Sequence, residues 1–98
     1  MADITKSITR MDVSGVENIP VIDSVSLHTV HIKGSTGDVT VTVVPKGFDI
    51  ADARNPGADG ENVIAENGMI QIDAGSLAFI VLTPTNTGAE YSVSVSSQ

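Results

Sequence analysis

Residues 39–44 read Val39-Thr40-Val41-Thr42-Val43-Val44, and this stretch decides the fold class. Val39, Val41 and Val43 recur with a period of two, with Thr40 and Thr42 between them. A period of two sends alternate side chains to opposite faces of a pleated strand. All six residues are β-branched, stiff at χ1 and better suited to a half-buried sheet than to a helix.

Upstream, the turn KGSTGD (residues 33–38) supplies two glycines for positive φ and an aspartate for local backbone bonding. Before it lies VIDSVSLHTVHIK (residues 21–33), so residues 28–44 are expected to form a hairpin. Its apolar parity switches between Leu27 and Val30, which places a bulge near His28-Thr29. Downstream, Pro45 and Gly47 end the strand. FDIADARNPGADGEN (residues 48–62) reads as a loop, with one helical turn near Ile50–Arg54. Asn67-Gly68 is a hairpin signal between Val63-Ile64 and MIQID (residues 69–73). LAFIVLTP (residues 77–84) is a nearly continuous apolar run, expected as a central strand buried on both faces. EYSVSVSS (residues 90–97) closes the chain, with Tyr91, Val93 and Val95 inward.

The whole composition agrees. Thirteen Val, ten Ile and nine Thr stand against three Leu, and no amphipathic helical stripe is visible. The expected fold is all-β, an antiparallel β-sandwich or flattened barrel of about six to eight strands. Its core should hold Val39, Val41, Val43, Ile70, Ile72, Phe79, Val81, Val93 and Val95. Residues 21–98 form the single domain. Residues 1–20 read as an N-terminal arm or edge strand, with Ile4, Ile8, Met11 and Val13 as its apolar members.

The chain has 98 residues and a formal net charge of −7, which disfavours nucleic acid as a partner. No apolar run is long enough for a membrane helix, and MADITKSITR carries no secretory h-region. With no cysteine, disulfides, zinc-thiolate sites and thiol nucleophiles are excluded. His28 and His31 fall on opposite faces of a regular strand and could chelate one metal only if the bulge expected near His28-Thr29 intervenes, so a metal role is not assigned to them. Asp49, Asp52, Asp59 and Glu61 are oxygen ligands of the type calcium takes, but their spacing departs from the EF-hand pattern. They read first as a solvated acidic loop. Residues 49–73 hold six acids and one base, a patch fit for a basic partner surface. No nucleophile elbow, zinc-protease motif or phosphate-binding glycine loop is present, so no catalytic, cofactor or metal residue is assigned. Phe48 is the one aromatic expected to be exposed, a thin basis for sugar binding.

The run from GDVTVTVVPKG through ENGMIQIDAGSLAFIVLTPTNTGAEYSVSVSS has a recognisable order. An alternating strand is followed by an Asp/Gly-rich excursion, an Asn-Gly-led strand, a Gly-Ser-Leu-led strand and a terminal Val/Ser strand. Over residues 28–97 it is similar to small β-sandwich accessory proteins of tailed-bacteriophage virions. The resemblance implies a non-enzymatic structural protein, made in the host cytoplasm and carried in the virion. It implies a capsid decoration or cement role, or a tail or fibre accessory role. It also implies a homotrimer, and a major capsid protein or other virion protein as partner. A carbohydrate-binding or adhesin-like module, with calcium in the acidic loop, is the alternative; a small hydrolase comes third.

Overall fold

A computed structural model describes residues 6–21, 27–55, 63–65, 67–73, 77–86 and 88–97. Among the described residues there are eight strands: β1 (Lys6–Val13), β2 (Glu17–Pro20), β3 (Leu27–Lys33), β4 (Val39–Pro45), β5 (Val63–Ile64), β6 (Met69–Asp73), β7 (Leu77–Pro84) and β8 (Tyr91–Ser97). They form two four-stranded antiparallel sheets, ordered β1-β8-β3-β6 and β2-β7-β4-β5. One 3-10 turn, Ile50–Asp52, lies between β4 and β5.

This order has a simple origin. β1 pairs with β8, β2 with β7, β3 with β6, and β4 with β5. The chain is thus one long hairpin rolled up on itself, the eight-stranded jelly roll. Every connection except β4 to β5 passes from one sheet to the other.

The rolling overturns two expectations. β3 and β4 do not pair, so residues 28–44 are not a hairpin; KGSTGD arches between the sheets. Asn67-Gly68 likewise joins strands of different sheets. Turn chemistry is satisfied in both places. Gly37 has φ of 86°, and a Cβ there would lie 3.1 Å from the Asn86 side chain. Hydrogen bonds tie the arches together at one end of the sandwich. Asn86 Nδ2 donates to the Thr36 carbonyl (2.7 Å), Thr85 N–H to the Asp38 carbonyl (2.9 Å), and Gly34 N–H to Asn67 Oδ1 (2.9 Å).

The core lies between the sheets. Val30, Ile32, Ile72, Tyr91, Val93 and Val95 of the first sheet face Ile19, Val39, Val41, Val43, Ile64, Leu77, Ile80 and Leu82 of the second. Leu77 reaches this layer because β7 carries an extra residue, Ala78, opposite the step from Val44 to Pro45. Ile8, Val13, Val21 and Ile70 pack against its margin.

Phe79 is a correction: it is only half-buried and stands outside the central cluster. It pairs with Val44 and Pro20, one step out of phase with the inward Ile80 and Leu82. Val81 is buried at 5% exposure, but on that same outer face. Phe79→Ala is therefore expected to cost about 1–2 kcal/mol, not the ~3–5 kcal/mol of a fully buried ring. Urea denaturation reads the difference as a midpoint shift at constant slope.

β3 is also regular, without the bulge expected at His28-Thr29. Of residues 21–33, read as one strand or two short ones, β3 takes Leu27–Lys33 in the first sheet, β2 ends at Pro20 in the second, and residues 22–26 lie outside the described residues. Leu27 and Val30 share β3: His28, Val30 and Ile32 take its inward positions and Leu27 falls on the opposite face, so the parity switch reflects a polar residue on an inward position and not a bulge. The bulge among the described strands of the first sheet lies instead in β1. There Met11 and Asp12 stand opposite Ser92 alone, and Asp12 has φ of 53°.

Residues 6–20 supply an edge strand to each sheet. Ile8 and Val13 are spent on this chain's own core. Ile4 lies outside the described residues, and Met11 is exposed.

Candidate interaction surfaces

The two histidines separate as strand alternation requires. His28 is fully buried, and its Nδ1 shares a 2.8 Å hydrogen bond with Ser97 Oγ. His31 is exposed on the outer face of the first sheet. Sequence reasoning missed the buried pair, although a signal was present. Ser97 continues the inward parity of Tyr91, Val93 and Val95, and a polar residue on an inward position needs a partner.

A second polar cluster locks the corner where the chain passes from β1 to β2. Tyr91 Oη donates to the Gly15 carbonyl at 2.8 Å, and Arg10 Nη1 pairs with Glu17 Oε1 at 3.0 Å. Asp12 N–H donates to Ser92 Oγ at 3.1 Å, holding the bulge. Burial, helped by the Glu17 carboxylate, pushes the Tyr91 hydroxyl up to about 12 from an ordinary 10. The folded state thus favours the protonated phenol. Its contribution is complete below pH 10 and is lost as pH rises through 12. That loss amounts to roughly 2–3 kcal/mol, at about 1.4 kcal/mol per pKa unit. Tyr91 is the only tyrosine, so tyrosinate absorbance should titrate near pH 12 in the native protein. Tyr91→Phe is expected to cost about 1–2 kcal/mol at neutral pH and to flatten the alkaline limb of the stability curve.

The outer face of the first sheet is a field of short polar side chains. Across the strands, Ser7, Ser96, Thr29 and Gln71 form one row, and Thr9, Ser94, His31 and Met69 the next. Thr9 Oγ1 donates to Ser94 Oγ at 3.2 Å. The matching face of the second sheet is less polar, with Pro20, Phe79, Val81 and Val44 among Asn18, Thr42, Thr40 and Thr83.

Of the acidic loop, Asp49 and Asp52 are described and exposed; Asp59 and Glu61 lie outside the described residues. Asp52 Oδ2 accepts from the Asp49 N–H at 3.1 Å, closing the 3-10 turn. Among the described residues, no three metal-ligating side chains gather. Phe48 is exposed as expected, with the Arg54 guanidinium 4.8 Å from its ring centre. Arg54 in turn bridges by its backbone to Val43, in both directions at 2.8 Å. One face of the exposed ring thus carries a cation–π contact. No described helix is long and apolar enough to cross a membrane.

No protein-family model matches the chain, and no curated protein matches it. Solved structures do. The SPBc2 prophage-derived protein YomS superposes with a TM-score of 0.68 at 12% identity, covering 99% of this chain and 96% of that one. PliG of Aeromonas hydrophila, a periplasmic inhibitor of g-type lysozyme, gives 0.58 at 18% identity, covering 96% and 86%. A Bacillus endospore appendage protein, from a family of disulfide-linked pili, gives 0.52 at 13% identity, covering 97% and 85%. At such identities the likeness shows the fold alone.

Proposed function

We propose that this chain is a non-enzymatic structural protein of a tailed-phage particle. In this reading it is a capsid decoration protein that binds the assembled surface in many copies and stabilises it. The observation that carries the reading is the jelly roll, matched over 99% of this chain by a prophage-derived protein. The resemblance of residues 28–97 to virion accessory domains points the same way. The physics of such a role is mass action. A ligand that binds the assembled shell and not its separated parts shifts the balance toward assembly. A rigid sandwich suits this, because little conformational freedom is lost on docking.

The active form in this proposal is a homotrimer. Light scattering should then give about 30 kDa, three times the 10.1 kDa chain; a mass near 10 kDa contradicts it. The role itself is tested on particles banded in a density gradient from cells that carry the gene. Quantitative mass spectrometry should find the protein there in many copies per particle. Its confinement to the unassembled fraction would end the reading.

A further inference from the structure

The chain holds five asparagines, and the residue after each sets its chemistry. Asn18 precedes Ile19, Asn55 precedes Pro56, Asn62 precedes Val63 and Asn86 precedes Thr87. A β-branched follower crowds its own main-chain nitrogen, and proline has no N–H to lose. Asn67 alone precedes a glycine. Its side-chain amide therefore neighbours a main-chain nitrogen with no Cβ beside it, which leaves that nitrogen open to attack the amide carbon.

The fold asks for this pair of residues. Asn67 has φ of 53°, a left-handed conformation that asparagine tolerates. A Cβ on Gly68 would lie 3.0 Å from the Ala65 carbonyl oxygen and 3.1 Å from Ile64 Cγ2. The arch from β5 to β6 thus places the most reactive asparagine of the chain at an exposed position. The same arch keeps both reacting groups in other bonds. Gly68 N–H donates to the Ala65 carbonyl at 3.0 Å, and Asn67 Oδ1 accepts from Gly34 N–H, in the β3–β4 arch, at 2.9 Å. Closing a ring between Asn67 Cγ and the Gly68 nitrogen removes that N–H and its bond to Ala65, and draws the Asn67 amide from its place at Gly34.

We propose that Asn67 is a site of spontaneous deamidation whose rate is set by opening of the β5–β6 arch. In the open arch the Gly68 nitrogen gives its proton to hydroxide and attacks Asn67 Cγ. The new C–N bond closes a five-membered succinimide, the Cγ–Nδ2 bond breaks, and the side-chain nitrogen leaves as ammonia, taking a proton from water. A second water then opens the ring on one of two sides, with no change of oxidation state. Addition at Cγ leaves aspartate on a normal main chain. Addition at the main-chain carbonyl leaves isoaspartate, whose main chain runs through Cβ and is one atom longer. Either product adds one negative charge to the −7 of the chain. Aspartate still offers an oxygen to Gly34 N–H. Isoaspartate displaces Gly68, which is bonded through its N–H to Ala65 and through its carbonyl to Ile32 N–H at 3.0 Å. It therefore loosens the arch from β3.

The test incubates the full-length protein at mildly alkaline pH, in buffer and in urea beyond its unfolding midpoint. Loss of ammonia and gain of water raise the mass by a single dalton, which peptide mapping places at Asn67; isomerisation at Asp59-Gly60 changes no mass. Conversion is expected in urea, ahead of the other four asparagines, and at least about 10-fold slower in buffer. That slowing should match, within about threefold, the slowing of hydrogen exchange at the Gly68 amide, because both need this N–H released from Ala65. Asn86→Ala removes the 2.7 Å bond to the Thr36 carbonyl and loosens the arch that carries Gly34. It should speed conversion in buffer and leave the rate in urea unchanged. The exchange comparison needs only the unmodified chain, should Asn86→Ala fail to fold. The isolated isoaspartate fraction should unfold at a lower urea concentration than Asn67→Asp, whose midpoint stays near that of the unmodified chain. Equal rates in buffer and urea, no conversion in urea, or faster conversion at another asparagine overturns the proposal. So does a Gly68 amide that exchanges freely while Asn67 stays intact, a folded Asn86→Ala with no acceleration, or an isoaspartate fraction as stable as Asn67→Asp.

Discussion

Deleting residues 1–13 is expected to unfold the domain, with a loss of at least about 4–6 kcal/mol, comparable to the whole stability of a small domain. β1 supplies six register pairs to β8 and packs Ile8 and Val13 against the core. Without it, the inward row Tyr91, Val93 and Val95 loses its flanking cover, and Glu17 loses the Arg10 guanidinium. Each aliphatic side chain withdrawn from a core costs about 1.5–3 kcal/mol, and the exposed β8 becomes a new open edge. The extended-arm reading of residues 1–20 expects the reverse, an intact fold with weakened assembly. Circular dichroism and urea denaturation of the truncated chain separate the two. A cooperative transition at the full-length midpoint would count against the edge-strand role of β1.

Leu82→Ala is expected to cost about 3–4 kcal/mol. Leu82 is fully buried, paired with Val41 on one side and Glu17 on the other. It sits in an interior strand of its sheet, so little can collapse into the space it leaves. Phe79→Ala removes more atoms from a half-exposed position and should cost roughly half as much or less. A larger midpoint shift for Phe79→Ala than for Leu82→Ala would mean that the phase of β7 is reversed.

These two residues also show where reading the sequence stops. The alternation in VTVTVV fixes both a strand and its inward face, because valine and threonine differ enough in hydrophobicity to mark the pleat. In LAFIVLTP every position is apolar or nearly so, and the phase is invisible without the partners Val43 and Ile19 opposite Ile80. Phe79 reads as inward only because it sits within that apolar run. Turn chemistry has a similar blind spot. KGSTGD and Glu66-Asn67-Gly68 were legible as reversals, since glycine and asparagine report the φ that a bend needs. They carry no information on which sheet the next strand joins, and in a jelly roll that choice is made by pairings as remote as β1 with β8. Of the candidate surfaces, the separation of His28 from His31 and the exposure of Phe48 were readable from alternation and composition. The corner built on Tyr91 and Gly15 was not, because it joins residues 76 positions apart. Nor was the terminal place of β6 among the described strands of its sheet, which follows only once β3 has paired with it.

The proposed decoration role makes the protein a stabiliser of the particle, and the heat resistance of phage made without it reads that role directly. Particles from a gene deletion should lose infectivity and release DNA at a lower temperature than complete particles. Adding the purified protein back should restore the original profile, with saturation at a fixed number of copies per particle. Identical heat-inactivation curves with and without the protein would contradict the account.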